Sequence, residues 1–132
     1  MTVGSQVPQQ VWHGVSDAFN GACPAREVLE HITGRWGILI LTALGAGSLR
    51  FSELHAMIGG ISEKMLSQTL RMLVRDGLVA RTVEPTTPPK VRYELTELGH
   101  GLTESLRPFL GWIQRHTVDV VIAQQNYDRE AD

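Results

Sequence analysis

The chain has 132 residues, of which 42% are hydrophobic and 20% charged, with 12 basic and 14 acidic side chains. This is the make-up of one globular domain that buries a core without disulfides or metals. A single cysteine, Cys23, excludes an intrachain disulfide and a multi-cysteine metal site. The longest apolar stretch, Trp36 to Ala46, falls short of the ~20 residues that span a bilayer.

The start of the chain, Met1-Thr2-Val3-Gly4-Ser5, lacks the basic and apolar regions of a signal peptide, so a cytoplasmic location is expected. The net charge of −2 is unevenly spread. Residues 34–96 hold eight basic residues against five acidic ones, while both flanks are acidic. Such a distribution steers a polyanion toward one face, although a swing of a few charges is common on solvated surfaces.

In chain order, residues 1–9 are polar, with Gly4 and Pro8, and read as an arm. Val11 to Phe19 carries Trp12, Val15 and Phe19 at helical spacing before Asn20-Gly21 breaks the pattern. Pro24 suits the first turn of a second helix, which runs to about Thr33 and stops at Gly34. Trp36 to Leu44 is apolar nearly all round and predicts a buried central helix. Ser48-Leu49-Arg50 is a short extended link. Ser52 is expected to cap a helix bearing Leu54, Met57 and Ile58, stopped by Gly59-Gly60.

Ser62 predicts the N-cap of a longer helix that ends at Asp76-Gly77, with Glu63 favourably placed against the helix dipole. Leu78 to Val83 and Val91 to Thr96 read as strands of a hairpin. Three prolines in Glu84 to Lys90 exclude regular structure between them. From Thr96, a second predicted N-cap, a long helical pattern follows through Leu98, Leu102, Leu106, Phe109, Trp112/Ile113, His116 and Val120. Pro108 is expected to kink or divide it, and the polar tail from about Gln124 is expected to fray.

The informative unit is helix, Gly-Gly turn, helix and hairpin. With Lys64 at 0° on a helix advancing ~100° per residue, Gln68, Arg71 and Arg75 fall within about 40° and Ser67 about 60° to one side. Leu66, Leu70 and Leu73 gather near 180–240° by the same arithmetic, roughly opposite. Taken alone, this is also how a solvated face of an amphipathic helix looks. The preceding helix and turn supply the geometry that delivers a second helix to the DNA major groove. Arg81, Lys90 and Arg92 give the hairpin a second cationic projection, a wing. Arg and Lys reach guanine O6/N7 or phosphate, and Gln reads adenine. Glu63 would repel phosphate unless it caps the helix or accepts from cytosine N4.

Cys23-Pro24, Gly34-Arg35-Trp36, Ile40-Leu41, Arg50-Phe51-Ser52-Glu53-Leu54, Ile61-Ser62, Leu66, Leu70, Leu73, Asp76-Gly77-Leu78-Val79-Ala80-Arg81, Pro88-Pro89, Val91-Arg92-Tyr93, Leu95-Thr96-Glu97-Leu98-Gly99 and Trp112 follow one another in an order that resembles the HxlR-type regulators. These belong to the MarR-like winged-helix group. The resemblance implies a mainly α (α+β) winged helix-turn-helix with a two-stranded β wing and N- and C-terminal dimerisation helices. It divides the chain into an arm and short helix (1–22), a DNA-binding core (23–96), and dimerisation helices with a polar tail (97–132). It also implies a recognition helix at Ser62–Asp76 and a wing near Glu84–Val91.

The expected partner is a double-stranded, near-palindromic DNA operator bound by a homodimer, with repression as the expected effect. Arg50, Ser52, Ser62, Lys64, Ser67, Gln68, Arg71, Arg75, Lys90 and Arg92 are the candidate DNA contacts. Trp12, Phe19, Leu106, Phe109, Trp112 and Ile113 are the candidate dimer interface.

Some members of this group sense oxidants or electrophiles through a cysteine at the position of Cys23. A thiol just ahead of a helix start feels the dipole that favours thiolate, and half-buried packing is the other reading of such a residue. With no second cysteine, sensing requires an intersubunit disulfide or a mixed disulfide with a small thiol. A small apolar effector is an alternative input, and a winged helix used for protein–protein contact is an alternative function. The scattered histidines (His13, His31, His55, His100, His116) and the absence of HExxH, GxSxG and P-loop motifs point away from an enzyme, and no metal or cofactor is expected.

Overall fold

The computed structural model describes Gly21 and residues 24–131. The expected Val11–Phe19 helix, and with it Trp12, Phe19 and Cys23, lies outside the described residues. Among those described, the order is α1 (Pro24–Thr33), α2 (Gly37–Leu44), β1 (Leu49–Arg50), α3 (Phe51–Met57), α4 (Glu63–Arg75), β2 (Val79–Glu84), β3 (Lys90–Leu95) and α5 (Glu97–Ala131). This is the winged helix-turn-helix expected from the sequence.

The core forms where the apolar stripes of the short helices converge. Ile40, Leu41 and Leu44 of α2, Leu54 of α3, and Leu66, Leu70 and Leu73 of α4 are essentially sealed from solvent, with Val79 of β2 beneath them. Each such side chain contributes about 1.5–3 kcal/mol on burial. Ile32, Trp36, Leu102 and Leu106 pack around the rim of this cluster. Leu106 is therefore part of its own chain's packing, whatever else it touches.

Three local expectations are corrected. Ser52 does not cap α3: the N-cap is Arg50, whose backbone N–H donates to Glu53 Oε1 at 2.8 Å, and Ser52 sits inside the first turn. A carboxylate three residues into the helix outcompetes the serine because it reaches back to an otherwise orphaned donor. Pro108 does not divide the C-terminal helix. α5 runs unbroken for 35 residues with Pro108 inside it, and the tail after Gln124 stays helical to Ala131. The missing N–H at Pro108 costs the helix one backbone bond. Leu102 and Leu106, packed on the core just ahead of it, hold that part of the helix in place.

The hairpin is also wider than expected. The Ser48–Arg50 link supplies β1, an edge strand, so the sheet is three-stranded and antiparallel in the order β1-β3-β2. Leu49 pairs with Tyr93 and Arg50 with Arg92, while Arg81 pairs with Tyr93 and Thr82 with Arg92 across the other edge of β3. The wing is thereby hydrogen-bonded to the strand that leads directly into the helix-turn-helix.

Two glycines shape the frame. Gly60, in the turn between α3 and α4, has φ +85°, which L side chains rarely adopt. Gly99, in the first turn of α5, is buried, and a Cβ built on it would collide with the backbone carbonyl of Leu78. α5 thus crosses the start of β2 at backbone contact distance.

Candidate nucleic-acid interface

The helix that presents the candidate site is bounded as its sequence dictates. Ser62 is extended, and its hydroxyl accepts from the Met65 backbone N–H at 3.0 Å, satisfying one of the free donors of the first turn. At the other end Asp76 is the C-cap and its N–H bonds back to Met72 and Val74. Between these caps, Leu66, Leu70 and Leu73 are buried while Lys64, Gln68, Arg71 and Arg75 are exposed. The angular separation of leucines from cations holds in three dimensions.

The cations differ in what surrounds them. Lys64 and Gln68 stand on the open N-terminal half of α4. One Arg71 Nη donates to the Ser67 hydroxyl at 3.4 Å, so these neighbours present a joined polar surface. Arg75 lies at the far end, 3.7 Å from Glu27 of α1, and part of its charge is balanced there. The turn before α4 leaves Glu63 in its first turn, beside the positive end of the dipole.

The sheet supplies the second cationic surface. Lys90 is exposed beside the proline loop, where residues 85–89 are all exposed. Arg92 is not a free projection: its guanidinium donates to the Ser48 hydroxyl from Nε (3.3 Å) and one Nη (3.2 Å), and its Nε lies 3.5 Å from Glu84 Oε1. Arg50 stands directly opposite Arg92 in the strand register, and its Nε is buried with no hydrogen-bond partner among the described residues. Two like charges face each other across β1 and β3, an arrangement that an anion bound between or beside them relieves.

Arg81, named in the sequence only as a wing cation, also stands beside α4. Ser67, Arg71, Val74, Arg81 and Tyr93 line a single cleft between α4 and the sheet. The cleft thus takes one arginine from each element. The strand alternation of β2 carried this signal, since Arg81 shares a face with Val79 and therefore points toward α4.

Ser48 and His31 were missed outright. His31 Nδ1 lies 2.7 Å from Asp76 Oδ2, joining α1 to the end of α4 across 45 residues of sequence. Among the described residues, no group of three or more His, Cys, Asp or Glu side chains is placed to hold a metal ion, and no helix is long and apolar enough to cross a membrane.

The second half of α5 presents an apolar face outward. Phe109, Trp112, Ile113, Val120 and Val121 are all exposed large hydrophobics, and the first four follow helical spacing along one side. Trp112 is fixed in place by stacking on His116, with ring centroids 4.5 Å apart, while His116 Nδ1 lies 2.8 Å from the Trp112 carbonyl.

Comparison with known proteins places this geometry. A family model described as HxlR-like helix-turn-helix matches residues 31–120. The chain is 46% identical over 113 residues to YtfH of Escherichia coli (strain K12), an uncharacterised HTH-type transcriptional regulator, covering 86% of this chain and 88% of that one. A solved structure of ytfH from Salmonella typhimurium superposes with a TM-score of 0.76 at 44% identity, covering 81% of this chain and 96% of that one. The redox regulator HypR in its reduced form superposes with a TM-score of 0.69 at 33% identity, over 76% and 99% of the two chains. The reduced form of the transcriptional regulator YodB from B. subtilis does so with a TM-score of 0.62 at 36% identity, over 70% and 92%.

Proposed function

Because this chain belongs to the HxlR-like helix-turn-helix family and is a transcriptional regulator with a DNA-binding helix-turn-helix, we propose that it is a cytoplasmic repressor that binds a near-palindromic operator as a homodimer. The observation that carries this reading is the face of α4 that opposes its buried leucines. Lys64, Ser67, Gln68 and Arg71 form a polar row on one helix of the kind that enters a major groove, backed by buried leucines.

In this reading two α4 helices enter successive major grooves ~34 Å apart. Lys64, Gln68 and Arg71 read base edges, with Ser67 and Arg75 alongside. Arg81 and Arg71 grip a phosphate in the cleft they share. Ser62 and Ser52, at the starts of their helices, together with Arg50 and Lys90, fix the register on the backbone. Arg92 holds the wing in place behind them. Phe109, Trp112 and Ile113 join the two copies, with Trp12 and Phe19 contributed by the N-terminal region, and Leu106 completes the inner edge of that contact. The protein acts by binding rather than by catalysis.

We propose oxidation of Cys23 as the input. The redox regulator HypR and YodB, whose diamide-treated form has also been solved, are relatives at 33–36% identity and support this reading. A small apolar effector is the second reading, favoured by an open groove of about 790 Å³ between α1 and α5. Val28, Ile32, Leu78, Leu98 and Leu102 supply its apolar walls, and Asp76 and Glu97 line it as well.

The test of the function is a gel shift against the DNA upstream of the protein's own gene, repeated across salt concentrations. A DNA reader loses affinity with a slope of about −0.9 per phosphate neutralised. A flat salt response would instead favour a winged helix used for protein–protein contact.

A further inference from the structure

We propose that His31 is a positioning residue for DNA reading, setting the orientation of the recognition helix α4 through its bond to Asp76. The proposal rests on α4 being the element that reads the operator. His31 touches no candidate DNA contact other than through the end of that helix.

Asp76 is an expensive residue where it stands. It occupies the C-cap of α4, where the helix dipole presents its negative end and disfavours a carboxylate. Its side chain is also largely covered, at 13% exposure, as is that of His31 at 15%. A covered carboxylate at a helix C-terminus stabilises nothing by itself and needs a hydrogen-bonding partner to be tolerated. His31 Nδ1, at 2.7 Å from Oδ2, is that partner.

The pair is not isolated. Glu27, one turn before His31 on α1, lies 3.7 Å from His31 Nε2 and 3.7 Å from one Nη of Arg75. The last residue of α4 and its C-cap are therefore both tied to the same face of α1. From the other side, the Thr96 hydroxyl donates to the Gly77 carbonyl at 2.6 Å and accepts from the Gly99 N–H at 3.0 Å. The end of α4 is clamped between α1 and the start of α5.

Toward the opposite end of α4, Gln68 lies about 12 Å and Lys64 about 18 Å from Asp76 along the helix axis. A small rotation released at Asp76 moves those side chains off their bases, while the leucine core keeps the helix folded. Sequence-specific binding then suffers more than the generic attraction of cations to phosphate, which tolerates displacement.

The experiment compares the wild-type protein with His31→Leu, His31→Asn and the double variant His31→Leu/Asp76→Asn. Each is titrated against a duplex from the DNA upstream of the protein's own gene, as the operator probe, and a scrambled duplex of equal length at one salt concentration, with melting temperatures recorded. His31→Leu is expected to lose roughly tenfold in operator affinity with scrambled-duplex affinity unchanged. His31→Asn keeps an N–H near the Nδ1 position and is expected to restore most of the loss. The double variant removes the stranded charge, so its melting temperature recovers while its operator affinity does not.

Operator preference retained in full by His31→Leu, or restored in the double variant along with stability, would overturn the proposal and leave the pair a packing feature. A wild-type protein with no preference for any duplex would overturn the DNA reading itself, and the proposal with it.

Discussion

The guanidinium of Arg92 is held by the hydroxyl of Ser48, 44 residues away in sequence. This bond crosses from the central strand of the sheet to the segment that leads into α3, and it decides how two neighbouring cations of the wing behave. Arg92→Ala removes the donor that ties β3 to the segment before α3 and leaves Ser48 and Glu84 without it. We expect a loss of about 1–3 kcal/mol in unfolding free energy, read by urea denaturation, together with weaker DNA binding. Lys90→Ala leaves the melting curve unchanged and reduces the salt slope of DNA binding by about 1. Equal stability losses in the two variants would show that the Ser48 bond carries no tertiary role.

Arg71 and Arg81 line the same cleft between α4 and the sheet. If Arg71 reads a guanine, Arg71→Ala costs ~1–3 kcal/mol of operator affinity and relaxes the sequence preference at one position of each half-site. Arg81→Ala instead weakens binding to all sequences alike, because a phosphate carries no sequence information. Binding titrations against a panel of single-base operator variants separate these outcomes. A base-specific defect from Arg81→Ala would move that residue into the reading set.

Gly99 and Gly101, two residues apart in α5, are expected to respond to the same substitution with opposite signs. Gly99→Ala forces a methyl group against the Leu78 carbonyl, and overpacking of this kind costs roughly 1–3 kcal/mol or more. Around Gly101 there is nothing within 4 Å, so Gly101→Ala gains up to about 1 kcal/mol from helix propensity. Thermal melts of the two variants settle this, and a stable Gly99→Ala protein would contradict the close crossing of α5 over β2.

The outward face of α5 predicts the assembly. Phe109→Glu combined with Trp112→Glu places charge on side chains that are 52% and 50% exposed in the single chain. The fold of each copy is therefore expected to survive, while sedimentation velocity at micromolar concentration shifts from dimer to monomer. A variant that stays dimeric would put the interface elsewhere.

Diamide is expected to weaken operator binding by the wild-type protein and to leave Cys23→Ser unaffected. Non-reducing electrophoresis then reports which chemistry is involved. An intersubunit disulfide doubles the apparent mass, whereas a mixed disulfide with a small thiol does not. Equal loss of binding in both proteins would remove Cys23 from the mechanism.

What the sequence made legible follows from how locally each feature is encoded. The recognition helix could be bounded because Ser62 caps it within three residues, Gly77 ends it, and its leucines repeat at helical spacing. The cationic row on its other face follows from the same periodicity. β1 was harder to read: two residues long, it has no pattern of its own and exists only because β3 is there to pair with it. Arg92, Ser48, His31 and Asp76 are joined over more than forty positions, so nothing near them in sequence signals the partner. Arg92 therefore looked like a projecting cation, and His31 like one of several scattered histidines. The division expected at Pro108 failed for a related reason. The local penalty of a proline in a helix is real, but Leu102 and Leu106 anchor the preceding turns on the core, and that packing is invisible to a local rule.

The crossing at Gly99 has one more implication. From that point α5 extends over 32 further residues, an arm of about 48 Å, with its fulcrum where backbone meets backbone. A tilt of about 5° there carries the tip of the helix through roughly 4 Å, comparable to a single base-pair step of DNA. The angle of the longest helix is thus set at a site without a side chain, where the smallest amino acid lets backbone meet backbone.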